Sequence, residues 1–309
     1  MEQKNKDSIN VSIIIPTYNR AKIVGNIIAS LAKQTYPAQR YEVILVDDGS
    51  TDSTDKILTS ISSPLHFRYF KKKRAGPASA RNYGVKKAQG EIIIFIDSDI
   101  LVEQDFVQAH VSSHENQDKL VVKGVVINTE RMDNLAREKM KLTDVSAAFF
   151  ATGNVSIRKK YLLKAGLFDE DFKEYGWEDL ELGVRLKKEG LRVVTNKNAV
   201  GYHYRKKVTL AHLPPLCHKE KMRGRTAVIF YRKHPTLEVK LMTHISLFFF
   251  ALDRMFNFFG WMSEKKRNNL VLQLKERNFP LLKNALIKMF TSHCYMEGLR
   301  EAIKEEKFN

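Results

Sequence analysis

Asp97 and Asp99 flank Ser98 directly after the apolar run Glu91–Ile96. Two carboxylates on one short turn point the same way if the chain is extended, and they form a hard-oxygen site suited to Mg²⁺ or Mn²⁺. Such a cation neutralises charge on a departing diphosphate. The plainer alternative is a solvated acidic turn, but a place just beyond a buried strand favours a site. A second acidic pair, Asp47-Asp48, follows Val43–Val46 and could equally cap the next helix. Tyr18, after Val11–Ile15 and Pro16, could stack on a base or simply line a rim. The sequence contains neither G-x-x-x-x-G-K-[ST] nor G-x-G-x-x-G, which disfavours a P-loop NTPase and a Rossmann dinucleotide enzyme.

These residues need elements to position them. Val11–Ile15 is a continuous β-branched run, as in a strand buried on both faces. Arg20–Gln34 carries Ile23, Ile27 and Leu31 at helical spacing and stops at Tyr36-Pro37. Val43–Val46 predicts a strand, Asp52–Ile61 a helix, and His66–Phe70 a short strand. Gly76-Pro77 opens a helix that runs to about Ala88, and Glu91–Ile96 predicts another strand. Alternating strands and helices with short links imply an α/β fold, a mostly parallel sheet flanked by helices. Ligands bind such sheets beyond the carboxyl ends of the strands. Pro16-Thr17-Tyr18, Asp47-Asp48 and Asp97-Ser98-Asp99 all fall at those ends.

With 309 residues and 43% hydrophobic content the chain can bury a substantial core, and a disordered chain is excluded. The net charge of +17 points to an anionic partner. From Leu210 onward there are 18 Lys/Arg against 9 Asp/Glu, so the C-terminal third is about twice as basic per residue as the rest. A boundary near His212–Pro215 divides the chain into 1–210 and a basic, aromatic-rich, mainly helical region, 211–309. Cys217 and Cys294 form no spaced pair and exclude a disulfide framework. The polar N-terminus has no signal-peptide pattern, and no run is long enough to span a bilayer, so a cytoplasmic location is expected.

The segments VSIIIPTYNR, VILVDDGSTDST and AGPASARNYGVKKAQGEIIIFIDSD together resemble family 2 glycosyltransferases of the GT-A fold, over about residues 10–205. Gly176-Trp177-Glu178-Asp179-Leu180-Glu181-Leu182 is similar to the acceptor-side motif of β1,4-galactosyltransferases, and Phe168-Asp169-Glu170 and Ala151–Asn154 fit the same group. The resemblance implies an inverting transfer from a nucleotide sugar, usually a UDP-sugar, to a hydroxyl of a glycan or lipid-linked acceptor. It implies that Pro16, Tyr18, Asp48, Arg81 and Asp97 hold the donor nucleotide. Asp97, Asp99 and His203 would hold the metal, Mn²⁺ or Mg²⁺. Asp179 would be the catalytic base and Glu178 its acceptor-binding neighbour, with Trp177 and Asn154 also on the acceptor.

The residues support some of this independently. Glu178-Asp179 begins a helical pattern, whose positive end holds an anion, although an ordinary acidic first turn would read the same. A lone histidine such as His203 is more often structural than a ligand; with carboxylates it would favour Mn²⁺. Trp177 could equally be a core residue. The polar segment Asn128–Ala148 is expected to form a helix or a loop over the cleft.

The C-terminal region resembles nothing specific. Lys219–Lys233 is basic, Leu241–Met262 is rich in Phe, and two to four helices are expected, the last over Phe279–Phe308. Such a region fits a peripheral membrane contact, or a helical subdomain packed on its surroundings. No specific nucleic acid is expected, because no recognition motif accompanies the charge. Two other functions stay open: a nucleotidyltransferase, which would not need Trp177-Glu178-Asp179, and a non-catalytic scaffold for glycan or membrane.

Overall fold

The computed structural model describes residues 8–61, 66–135, 138, 140, 141, 144, 146–205, 207–274 and 280–307. It divides into two compact units, one of Met1–Lys173 and Glu178–Lys206, the other of Glu174–Trp177 and Lys207–Asn309.

The first unit is built on one eight-stranded sheet. Its strands are β1 (Val11–Thr17), β2 (Tyr41–Asp47), β3 (His66–Lys71), β4 (Ile92–Ile96), β5 (Ile100–Val102), β6 (Leu120–Thr129), β7 (Asn154–Arg158) and β8 (Arg192–Tyr204). Their order is β3-β2-β1-β4-β7-β6-β8-β5. The first four run parallel, as expected. Beyond β4 the sheet is mixed: β7 is antiparallel to both β4 and β6, β8 is parallel to β6, and β5 is antiparallel to β8. Among the described residues four of the seven pairings are parallel, and the antiparallel ones all lie beyond β4.

Alternation along β1 explains its double burial. Ile13 and Ile15 join a cluster with Ile27 and Leu31 of helix α1 (Val24–Leu31). Ile14, on the opposite face, joins Ala80 and Val85 of another helix, α3 (Pro77–Lys87), the second after α1 being α2 (Thr54–Ser60). Each such side chain contributes about 1.5–3 kcal/mol of burial. Pro16 lacks the N–H that a central strand needs. The β1–β4 ladder ends at Ile14↔Phe95, while β1–β2 continues to Thr17↔Asp47. The sheet therefore parts at Pro16, which opens a rim between β1 and β4.

The remaining helices of this unit are α4 (Phe106–His114), α5 (Lys159–Lys164) and α6 (Glu178–Lys188). The strand expected at Arg192–Thr195 continues to Tyr204, and its register against β6 shifts between Lys123 and Val125. Gly124 sits at that irregularity, where a Cβ would lie 2.3 Å from the Ala199 carbonyl oxygen. The segment Asn128–Ala148 falls partly outside the described residues.

Among the described residues the second unit holds five α-helices: α7 (Leu213–Lys233), α8 (Leu237–Met242), α9 (Leu247–Phe256), α10 (Glu264–Leu274) and α11 (Pro280–Lys307). That is one more than the most expected. α7 and α11 run side by side and in the same direction. A Cβ on Gly224 would stand 2.1 Å from the Tyr295 carbonyl oxygen, and one on Gly298 2.0 Å from that of Lys221. Lys221–Glu301 and Arg225–Glu305 ion pairs flank this close approach, at 2.6 and 2.8 Å. Among the described residues no helix is long and apolar enough to cross a membrane.

Candidate active site

Two carboxylates pair with one buried arginine, and a third lies within its electrostatic reach. Arg81, on α3 and 5% exposed, donates from Nη1 to Glu178 Oε1 at 2.8 Å and from Nη2 to Asp97 Oδ1 at 3.2 Å. Asp97 closes β4, and Glu178 and Asp179 open α6. Burial works against the Arg81 charge, but Glu178 and Asp97 outweigh it and raise its pKa. Asp179 is half-buried, and its pKa is pushed up to about 7, first by burial and then by the charge of Glu178. Arg81 and the backbone N–H groups of Thr152 and Leu180 pull the other way. The Thr152 N–H lies 3.4 Å from Asp179 Oδ2, and a Cβ on Gly153 would stand 3.5 Å from Asp97 Oδ2. The 152–153 backbone thus runs beside both Asp97 and Asp179.

Asp99 belongs to a second group. Its Oδ1 lies 3.2 Å from His203 Nε2, and its Oδ2 accepts from Arg20 at 3.3 Å. The sheet causes the first contact. β5 begins at Ile100, which pairs with His203, and the Tyr204 N–H donates to the Asp99 carbonyl at 2.9 Å. His203 Nδ1 accepts from Arg205 Nε at 3.1 Å, so Nε2 carries the ring proton towards Asp99, and ligation of a cation through Nε2 would require that proton to leave or to move to Nδ1 with release of Arg205. A partly exposed carboxylate and imidazole, side by side, suit a divalent cation such as Mn²⁺. Among the described residues no three His, Cys, Asp or Glu side chains gather into a metal cage. The protein would supply only part of a coordination shell, as is common where substrate phosphates complete it.

The nucleotide-side candidates sit across the opening at Pro16. The Tyr18 ring is covered by the Arg74 guanidinium at 4.2 Å, and its hydroxyl accepts from Arg74 at 3.0 Å. Asp48 is buried and accepts from Lys72 Nζ (2.9 Å), Ala75 N (2.9 Å) and Gly76 N (2.8 Å). Its carboxylate shapes the 72–76 loop ahead of α3. Gly76 must be glycine there, with φ at +93° and a Cβ position 2.5 Å from the Lys173 carbonyl oxygen.

Two residues expected on the acceptor side make contacts within the fold. Asn154 is buried in β7; its amide donates to the Val125 and Ala199 carbonyls and its oxygen meets His110 Nε2, so it braces the sheet. Trp177 lies in the second unit, 5% exposed, with its ring stacked on Phe230 and under Arg223. Its Nε1 donates to the Arg223 carbonyl. Thr152 and Gly153 lie in the Ala151–Asn154 stretch that the sequence already associates with the acceptor side, whereas Arg20 and Arg74 carry no sequence assignment to the site. Asn19-Arg20 at the end of the first strand pattern is the one available signal for Arg20; nothing local marks Arg74.

Over residues 12–168 the sequence matches the family model described as glycosyl transferase family 2. It is 30% identical over 255 residues to the uncharacterized glycosyltransferase YfnE of Bacillus subtilis (strain 168), covering 63% of this chain. The chain spans 64% of that relative's length. Among solved structures, the mannosyltransferase PcManGT from Pyrobaculum calidifontis, in complex with GDP-Man and Mn²⁺, superposes with a TM-score of 0.57 at 19% identity, covering 96% of this chain and 88% of that one. S. aureus TarS 1–349 in complex with UDP-GlcNAc gives 0.53 at 19% identity, covering 96% and 92%. These likenesses give a GT-A glycosyltransferase fold; the likeness of 176–182 to a galactosyltransferase motif rests on the sequence alone. With the match spanning the parallel strands, the rim and the Asp97–Asp99 turn, the chain belongs to glycosyl transferase family 2.

Proposed function

We propose that the protein is a metal-dependent, inverting glycosyltransferase that moves a sugar from a nucleotide sugar, a UDP-sugar first among them, to a hydroxyl of a glycan or lipid-linked acceptor. The observation that carries this reading is Asp179. It is a half-buried carboxylate raised to about 7, at a helix start, beside Glu178, Arg81 and Asp97. A base working near neutrality needs that poise.

In this reading Pro16, Tyr18 and the 72–76 loop that Asp48 holds form the nucleotide side. Asp99 and His203, with Asp97 on the same turn, would hold Mn²⁺ or Mg²⁺, which would supply charge neutralisation on the diphosphate. Asp179 takes the acceptor O–H proton as the acceptor oxygen bonds to the anomeric carbon and the bond to the diphosphate oxygen breaks. A single displacement inverts that carbon, and no enzyme-bound sugar forms. Arg81 holds Glu178 and Asp97 at fixed positions around this reaction. The structures that bind UDP-GlcNAc and GDP-Man support a nucleotide-sugar donor in general. The +17 charge agrees with an anionic donor.

The test is release of nucleoside diphosphate from UDP-GlcNAc, UDP-galactose, UDP-glucose and GDP-mannose, with Mn²⁺ and a panel of glycan and lipid-linked acceptors. Acceptor-dependent release from one donor, with an inverted anomeric proton coupling in the product, is expected. Retention of the donor's anomeric configuration would refute the single displacement.

A further inference from the structure

The second unit presents apolar side chains to solvent that its own fold does not need. No residue of α9 is buried. Leu247 is 88% exposed, Phe248 68%, Phe258 66% and Phe259 84%, with Phe256 and Met255 also exposed. So many exposed apolar side chains within one short stretch of chain mark an interaction surface.

The face is held rather than frayed. Asp253, on the inner side of α9, meets His293 of α11 at 2.9 Å and pairs with Arg300. Asn257 Nδ2 lies 3.3 Å from His293 Nε2, and its oxygen accepts from the Met262 N–H. Phe259 has φ +63°, a left-handed backbone that is unfavourable for an aromatic residue. The turn is nevertheless fixed: Trp261 Nε1 donates to the Phe256 carbonyl at 2.7 Å, and Lys266 Nζ to that of Phe259 at 3.1 Å. The result is a wedge of two adjoining rings, Phe258 and Phe259, with centroids 4.2 Å apart.

Charge decides what the wedge fits. Lys240, Arg254, Lys265 and Lys266 stand along the same stretch, against Glu238 and Glu264. A second copy meeting this face by two-fold symmetry would set those cations against one another. An anionic bilayer instead complements them while accepting the aromatic and aliphatic side chains at headgroup depth. With no membrane-crossing helix among the described residues, the contact is peripheral.

We propose that the face formed by Leu247, Phe248, Phe256, Phe258 and Phe259, rimmed by Arg254, Lys265 and Lys266, docks on an anionic phospholipid bilayer. This goes beyond the transferase reading and needs neither donor nor acceptor, so either can fail without the other. The test is flotation of the full chain with phosphatidylcholine vesicles, with and without phosphatidylglycerol. Binding is expected only to the anionic vesicles, weakened when salt is raised to about 0.5 M. Phe258→Ser/Phe259→Ser and Lys265→Glu/Lys266→Glu should each lower the partition coefficient at least about tenfold. Unchanged circular dichroism and melting temperature would establish that both variants fold. Equal partitioning of folded variants and parent overturns the proposal. So does absence of vesicle binding together with a concentration-dependent dimer that the Phe variant abolishes, which would make a second copy the occupant.

Discussion

Arg81 joins α3 to the start of α6 through Glu178 at 2.8 Å, across 97 residues of sequence, and the same guanidinium reaches Asp97 at 3.2 Å. Both Arg81 and Glu178 have side chains only 6% exposed, so neither charge is screened by water. The arginine is therefore the fixed point around which the acidic groups of the site are arranged.

Breaking that pair one-sidedly should be costly. Arg81→Met removes the guanidinium that pairs with the buried Glu178 carboxylate, at about 3–5 kcal/mol of stability. The double variant Arg81→Met/Glu178→Gln should recover a substantial part of the loss. Urea unfolding of Arg81→Met, Glu178→Gln and the double variant measures this, and simple additivity of the two single changes would contradict the pairing.

Asp179→Asn should lower turnover by about 10²–10⁴-fold while sparing donor binding. In the parent, kcat should rise with pH through an apparent pKa near 7, because the carboxyl must be deprotonated to accept the hydroxyl proton. A profile already flat from pH 5 upward would assign the base elsewhere.

The sheet carries its own acid sensitivity. His110 Nδ1 and His114 Nε2 share the Ser156 hydroxyl, each at 2.9 Å, and both rings are buried. Burial first lowers both pKa values to about 4. The folded state holds the rings neutral while the unfolded chain protonates them below about 6.5, so the stability is present above that pH and lost as pH falls toward 4. At pH 5 the loss is about 2 kcal/mol for each ring. Unfolding midpoints of the parent and of His110→Asn between pH 7 and 5 test it; the variant should show the shallower slope.

Gly298→Ala pits two effects against each other. Alanine favours a helix interior by about 0.8–1 kcal/mol over glycine. Against this, the new Cβ would sit 2.0 Å from the Lys221 carbonyl oxygen of α7. Overpacking of that kind costs about 1–3 kcal/mol or more, so net destabilisation is expected. A raised melting temperature would mean that α7 and α11 do not approach so closely.

Much of the first unit was legible because its signals are local. The β-branched runs at Val11–Ile15 and Glu91–Ile96 gave the parallel strands, and the acidic turns that follow them gave the rim. What local pattern alone does not carry is long-range pairing. Asp99 meets His203 because β5 pairs antiparallel with β8; no periodicity near His203 announces it, and only the family resemblance put the two together in advance. Asn154 and Trp177 read as acceptor groups because residue type cannot distinguish a ligand-facing amide or indole from one spent on a carbonyl inside the fold. The helices of the second unit were legible as helices, but the exposed set of Phe side chains was not, since apolar residues in Leu241–Met262 look the same whether covered or bare.

The measurement that bears most directly on the account is calorimetric titration of the protein with UDP, GDP, dTDP and CDP, each with and without Mn²⁺, in the parent, Asp99→Ala and Asp179→Asn. The account predicts UDP binding that needs Mn²⁺, falls at least about tenfold in Asp99→Ala, and persists in Asp179→Asn, because Asp99 and His203 serve the diphosphate and Asp179 the acceptor. Nucleotide binding indifferent to both Mn²⁺ and Asp99, or no binding of any of the four, would contradict it.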